Sequence, residues 1–252
     1  MITQWPLVFF TVFTQLSAGL ALFSALRTRW GAGPSPRGWK TAAIAATVAF
    51  ASGFFSCGGI ESGAMLAAQI SCLLLAVFSC GALCKIILCS GAACMAGSLC
   101  VLAQALAAVP GELLSPSGFF PFLLFPLCTL VLGAAFTQLP CLDEPNDNAI
   151  RYGRFYLPLR FSLWLMLVIT AAAPCLIWED PFMKKASFYW MQTQLYWMGV
   201  IFSGVVIGLS HMGRITLYLQ AAIAFVSVLG LRTAFYADSV HGAIDLGTLY
   251  MR

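Results

Sequence analysis

Long apolar runs, interrupted by short clusters of glycine, proline and charge, set the pattern of this chain. Eight runs are continuous enough to predict helices that cross a membrane: residues 5–26, 41–55, 62–83, 86–109, 119–139, 157–178, 189–209 and 215–236. The breaks between them carry turn chemistry. Examples are Gly31-Ala32-Gly33-Pro34-Ser35-Pro36, Cys57-Gly58-Gly59, Pro110-Gly111-Glu112, Ser115-Pro116-Ser117-Gly118 and Glu179-Asp180-Pro181. The runs do not alternate apolar with polar, which argues against the strands of a transmembrane barrel. The expected fold is an all-α integral membrane protein, a bundle of about eight transmembrane helices forming a single polytopic domain over residues 1–252. The first run is too long for the core of a signal peptide and no small-residue cleavage site follows it, so it is expected to stay in the mature protein.

Composition strengthens this picture. Hydrophobic residues make up 61% of the chain and charged residues 9%, with a mean hydropathy of +0.90, whereas about a quarter of a soluble domain is charged. Little is left for a soluble domain, and no nucleic-acid partner is expected. Any chemistry belongs inside the bilayer, at its edge, or on a partner. Charge then orients the bundle. With the N-terminus outside, the inner loops hold Arg27, Arg29, Arg37, Lys40, Lys85, Arg151, Arg154, Arg160 and Arg214, nine of the thirteen basic residues. Both termini then face the outer (periplasmic) side of an inner (cytoplasmic) membrane. Trp5, Trp178, Phe188-Tyr189-Trp190 and Trp197 fit an aromatic belt on that same side.

Ten cysteines include no C-x-x-C pair and no spacing suited to zinc or an iron–sulfur cluster, so they read as small packing residues. Only two histidines exist, His211 and His241, one near each end of the last run. They cannot ligate one iron together, so no haem is expected in this chain.

Polar residues within the runs are few. Glu61, the only acid in the first 111 positions, stands just after Cys57-Gly58-Gly59, at the head of the third run. There it is either a helix-end charge, favoured by roughly 0.3–1 kcal/mol, or a proton acceptor beside a pocket, since ionisable groups at membrane depth are costly and often functional. Gln15, Gln69, Gln104 and Gln138 can hydrogen-bond between helices, a structural role worth roughly 0.6–2 kcal/mol each. Gln15 lies mid-span and Gln69 two turns below Glu61, so both are placed to line a cavity descending from the outer face. Arg232 either snorkels to the headgroups or uses its planar fork to hold Glu61 or a ligand oxygen.

The two ends of the chain also carry motifs. Trp5-Pro6-Leu7, Phe13-Thr14-Gln15 and Ala18-Gly19 resemble the opening span of the membrane anchor subunit of dimethyl sulfoxide reductases. Gly230-Leu231-Arg232-Thr233-Ala234-Phe235-Tyr236 is similar to that family's closing signature. Val109-Pro110 with Ser115-Pro116-Ser117-Gly118-Phe119-Phe120 resembles the turn before its fifth span. The resemblance covers nearly the whole chain through short motifs. It implies a haem-free anchor that oxidises menaquinol near the outer face during anaerobic respiration. Electrons would pass to an iron–sulfur partner subunit and on to a molybdopterin catalytic subunit. Glu61 matches the family's quinol-site glutamate. The family's histidine at the end of the second span has no counterpart, because Cys57-Gly58-Gly59 stands where His-Leu-Gly is expected.

Quinol oxidation releases two protons and two electrons, so a site needs an acceptor for each hydroxyl proton, a flat apolar slot and a nearby electron acceptor. In this reading Glu61 takes the proton, with partial burial favouring its protonated form. Gln15 and Gln69 orient the ring, while Arg232 and Tyr236 support the carboxylate or a quinone oxygen. Two other classes stay open: a purely structural anchor, and a small secondary transporter. No paired broken helices point to the latter.

Overall fold

In a computed structural model the described residues are 5–29, 44–45, 119–137, 161, 164–169, 191–209 and 217–250, and of these only Thr193 lies outside a helix. Four long helices carry the described structure: α1 (Trp5–Arg29), α2 (Phe119–Thr137), α3 (Gln194–Leu209) and α4 (Leu217–Tyr250). All four are apolar around most of their circumference, which is the pattern of helices with no single water-facing side. Pro121 falls in the first turn of α2, where its missing N–H costs nothing. Pro126 lies inside the helix, and α2 continues through it.

Small residues decide which helices touch. α1 and α2 cross at Gly19 and Gly133, so closely that a Cβ on Gly19 would lie 2.8 Å from the Cα of Gly133. A side chain at either position would strike backbone. α3 and α4 form a second close pair. A Cβ on Gly199 would come 2.6 Å from Cγ of Leu231, and one on Gly230 would come 2.9 Å from the carbonyl oxygen of Leu195. Ser227 Oγ donates across this interface to the Gly199 carbonyl at 2.7 Å. Gln220 Nε2 donates to the carbonyl of Leu209 at 2.6 Å, satisfying one of the orphan acceptors at the end of α3. α4 also packs against α1 and α2.

An apolar core that includes Val12, Leu20, Phe23, Leu124, Leu132, Trp164 and Leu231 is buried, and polar residues join it. Thr11, Thr14, Gln15, Ser17, Thr129, Thr137, Ser203, Gln220, Ser227 and Arg232 are buried, while Trp5, Phe9, Phe161, Leu165, Met166, Ile169, Trp197, Ile201, Val205 and Leu219 are exposed. Among the described residues, Leu217–Ala234 is long and apolar enough to cross a membrane, and Val8–Leu20, Pro126–Thr137 and Gln194–Leu209 are shorter apolar helical stretches. The runs expected at 41–55, 62–83, 86–109 and 157–178 lie wholly or largely outside the described residues.

Where the expectations can be compared with helices, the starts at 5 and 119 coincide with those of α1 and α2. The largest difference is at the far end. The last membrane-crossing run is expected to end at residue 236 and to be followed by a tail, and α4 continues through that tail to Tyr250. No proline interrupts residues 237–250, and Gly242 and Gly247 each cost only about 1 kcal/mol in a helix interior, which a continuing helix tolerates.

Candidate functional site

The candidate site lies where α1, α2 and α4 meet. Several hydroxyls are satisfied inside their own helix: buried Thr11 Oγ1 donates to the Val8 carbonyl at 2.9 Å, buried Thr137 Oγ1 to Gly133 at 2.6 Å and half-buried Thr233 Oγ1 to Leu229 at 2.8 Å. Such bonds hide polarity without linking elements. Arg232 and Gln15 behave differently. Both are 0% exposed, and Arg232 Nε donates to Gln15 Oε1 at 3.4 Å, joining α4 to α1 across 217 positions of sequence. The same guanidinium lies close enough to Cys128 on α2, itself fully buried, to interact with it electrostatically. Three helices thus contribute one polar group each to a single buried contact.

A second layer lies beside the first. The Phe225 ring sits between Phe13 of α1, at 5.6 Å between centroids, and Phe136 of α2, at 6.5 Å. Phe225 and Arg232 are seven residues apart on α4, so they share one face about 10 Å apart along the axis. Phe136 and Cys128, eight apart on α2, have a matching separation of about 12 Å. The pairs run in opposite sequence directions, so α2 and α4 are antiparallel along this seam. Beside this aromatic contact (Phe13, Phe225, Phe136) Gln15, Arg232 and Cys128 form a polar rung, and the two groups meet α1 at nearly one level, since Phe13 and Gln15 are only about 3 Å apart along its axis.

Electrostatics give the polar rung its chemical meaning. A guanidinium stays charged at any ordinary pH, and taking it out of water costs several kcal/mol before partners are counted. Gln15 and Cys128 are neutral groups that offset part of this. A carboxylate would offset more, because its charge is opposite and its two oxygens match the fork of N–H groups. Among the described residues no group of three or more His, Cys, Asp and Glu is placed to hold a metal ion.

Of the site residues expected from sequence, Gln15 and Arg232 are brought into contact. Tyr236 follows Arg232 by one turn of α4. Glu61 and Gln69 lie outside the described residues, as do Gln104 and Gln138. Cys128 was not singled out by its sequence setting, since a thiol in Leu127-Cys128-Thr129 reads as packing. Gln220 carried the same signal as the other glutamines, an amide within an apolar run. No family model, no curated protein and no solved structure matches this chain.

Proposed function

We propose that this chain is the multi-pass membrane anchor subunit of a molybdopterin and iron–sulfur oxidoreductase of the dimethyl sulfoxide reductase type, resident in the inner membrane and oxidising menaquinol near its outer face. The reading rests on the motif resemblance. Its main structural support is the contact between Gln15 and Arg232, two residues carried by the opening and closing motifs and joined in the buried seam. Burial of polar groups with exposure of large apolar ones suits a lipid environment.

In this mechanism Arg232 holds an oxygen of the quinol ring or the Glu61 carboxylate, and Gln15 fixes the guanidinium and presents its amide to the ring. Glu61 would accept one hydroxyl proton and water at the outer face the other as the ring gives up two electrons. A docked iron–sulfur partner would supply the electron acceptor and pass electrons on to the molybdopterin subunit. A passive anchor with the same partners is the second reading. It is favoured by Cys57-Gly58-Gly59 at the position where the family carries a histidine.

Steady-state reduction by the complete complex separates the two, with a menaquinol analogue as donor and an artificial dye as control. Arg232→Gln and Glu61→Gln are expected to lower the quinol-driven rate at least tenfold and leave the dye-driven rate unchanged. Quinol-driven rates equal to wild type in both variants would remove Arg232 and Glu61 from the site, and a wild-type complex with dye-driven but no quinol-driven rate would establish the passive anchor.

A further inference from the structure

Helix α4 does not stop where its membrane-crossing stretch, Leu217–Ala234, ends; it runs on through residues 235–250. Those positions include Asp238, His241 and Asp245, which are costly in hydrocarbon, so this part of α4 leaves the bilayer. It contains no proline and no Gly-Ser pair to bend it, so its axis leads away from the headgroups rather than along them.

Polar and apolar positions are unevenly placed around that axis. At about 100° per residue, Asp238, His241, Asp245 and Thr248 fall within a stripe about 80° wide. The rest of the circumference holds Phe235, Val240, Ile244, Leu246 and Leu249, and Ser239 and two tyrosine hydroxyls are its only polar groups. A helix lying on a protein surface in water has the reverse proportions, with an apolar stripe of about 100° and polar residues elsewhere. Gly242 and Gly247 weaken the segment further as an isolated helix, and one of this length is marginal in water without a packed face. The apolar arc needs a cover.

Neither the membrane nor this chain supplies it. The axis leads away from the lipid, and the connections expected on the same side of the membrane, 56–61, 110–118 and 179–188, hold at most ten residues each. Ten residues that leave the membrane and return to it rise no more than about 17 Å, as a single strand against one side of the helix. A second copy would offer one helix, whose seam is a narrow stripe and leaves most of the arc bare. An arc this wide fits a groove in a larger protein. Charge narrows the choice, because residues 235–250 carry two aspartates and no lysine or arginine in a chain of net charge +4.

We propose that residues 235–250 form a docking helix for a soluble partner subunit, seated by the apolar arc in a groove whose basic rim meets the stripe of Asp238 and Asp245. The identity of that partner as the iron–sulfur subunit rests on the function proposed above; the docking itself does not.

The test uses the full-length chain in its purified complex. A benzophenone amino acid at position 240 or 244 is expected to cross-link to one copurifying soluble subunit, whereas the same group at position 201, on the exposed side of α3, meets lipid. Val240→Asp with Ile244→Asp is expected to lower retention of that subunit on membranes at least tenfold, with thermal unfolding of the bundle unchanged. Asp238→Lys with Asp245→Lys should weaken retention and reduce its dependence on salt. On a cysteine-free background, Ser239→Cys should react with a maleimide at least fivefold more slowly in the complex than in the chain expressed alone. Cross-links only to lipid, to this chain or to a second copy overturn the docking helix. So do full retention in the double-aspartate variant, equal maleimide rates, or a chain that purifies alone. A cross-linked subunit that holds no iron–sulfur cluster would reject the proposed function and keep the docking helix. Quinol-driven activity with an iron–sulfur subunit retained in every variant would do the reverse.

Discussion

At the scale of single residues, Gln15 and Arg232 show how a polar group inside an apolar run can be read. An amide or guanidinium there must find a partner, so each was recognisable as a residue with a task. What the partner is could not be read, because the contact bridges 217 positions and depends on how α1 and α4 cross. Cys128 was illegible for a different reason: the same thiol serves equally as filler or as an acceptor, and only its neighbour decides. The energetic weight of the contact is measurable. Gln15→Leu removes a hydrogen bond to a charged donor and is expected to destabilise the fold by about 1.5–3 kcal/mol. Adding Arg232→Met removes the stranded charge, so the double variant should recover most of that loss while quinol-driven activity stays low. Thermal unfolding of the four forms in detergent closes the cycle.

At the scale of the helices, glycines with the same helical propensity have opposite meanings. Gly19 and Gly133 sit where two backbones meet, and Gly199 and Gly230 where α3 meets α4, while a Cβ at Gly204 or Gly208 would encounter nothing within 4 Å. Gly19→Ala and Gly133→Ala are therefore expected to cost at least about 2 kcal/mol, at the upper end of overpacking effects. Gly204→Ala and Gly208→Ala should be neutral or stabilise by up to about 1 kcal/mol, since alanine is the better helix former. Unfolding in detergent of these four variants gives the comparison directly. The presence and starts of α1 and α2 were legible from hydropathy and flanking turns. The choice of partners was not, because glycine marks a close approach in one place and open surface in another without any local difference in sequence.

At the scale of the molecule, the proposed orientation places both termini outside, with nine of thirteen basic residues inside. Single-cysteine reporters on a cysteine-free background test this. Thr3→Cys and Ser239→Cys should react with an impermeant maleimide added to intact spheroplasts, whereas Arg154→Cys should react only after permeabilisation. Labelling of Arg154→Cys from outside would reverse the orientation.

Helix α4 reaches beyond the stretch Leu217–Ala234 that is apolar enough to cross a membrane, and continues unbroken to Tyr250. Its remaining sixteen residues extend the rod by about 24 Å. A rod with its fulcrum in the seam behaves as a pointer. A tilt of α4 by about 5° about the seam would sweep its far end roughly 2 Å, so a change of helix packing within the bundle would register at the tip without any signal passing through a loop.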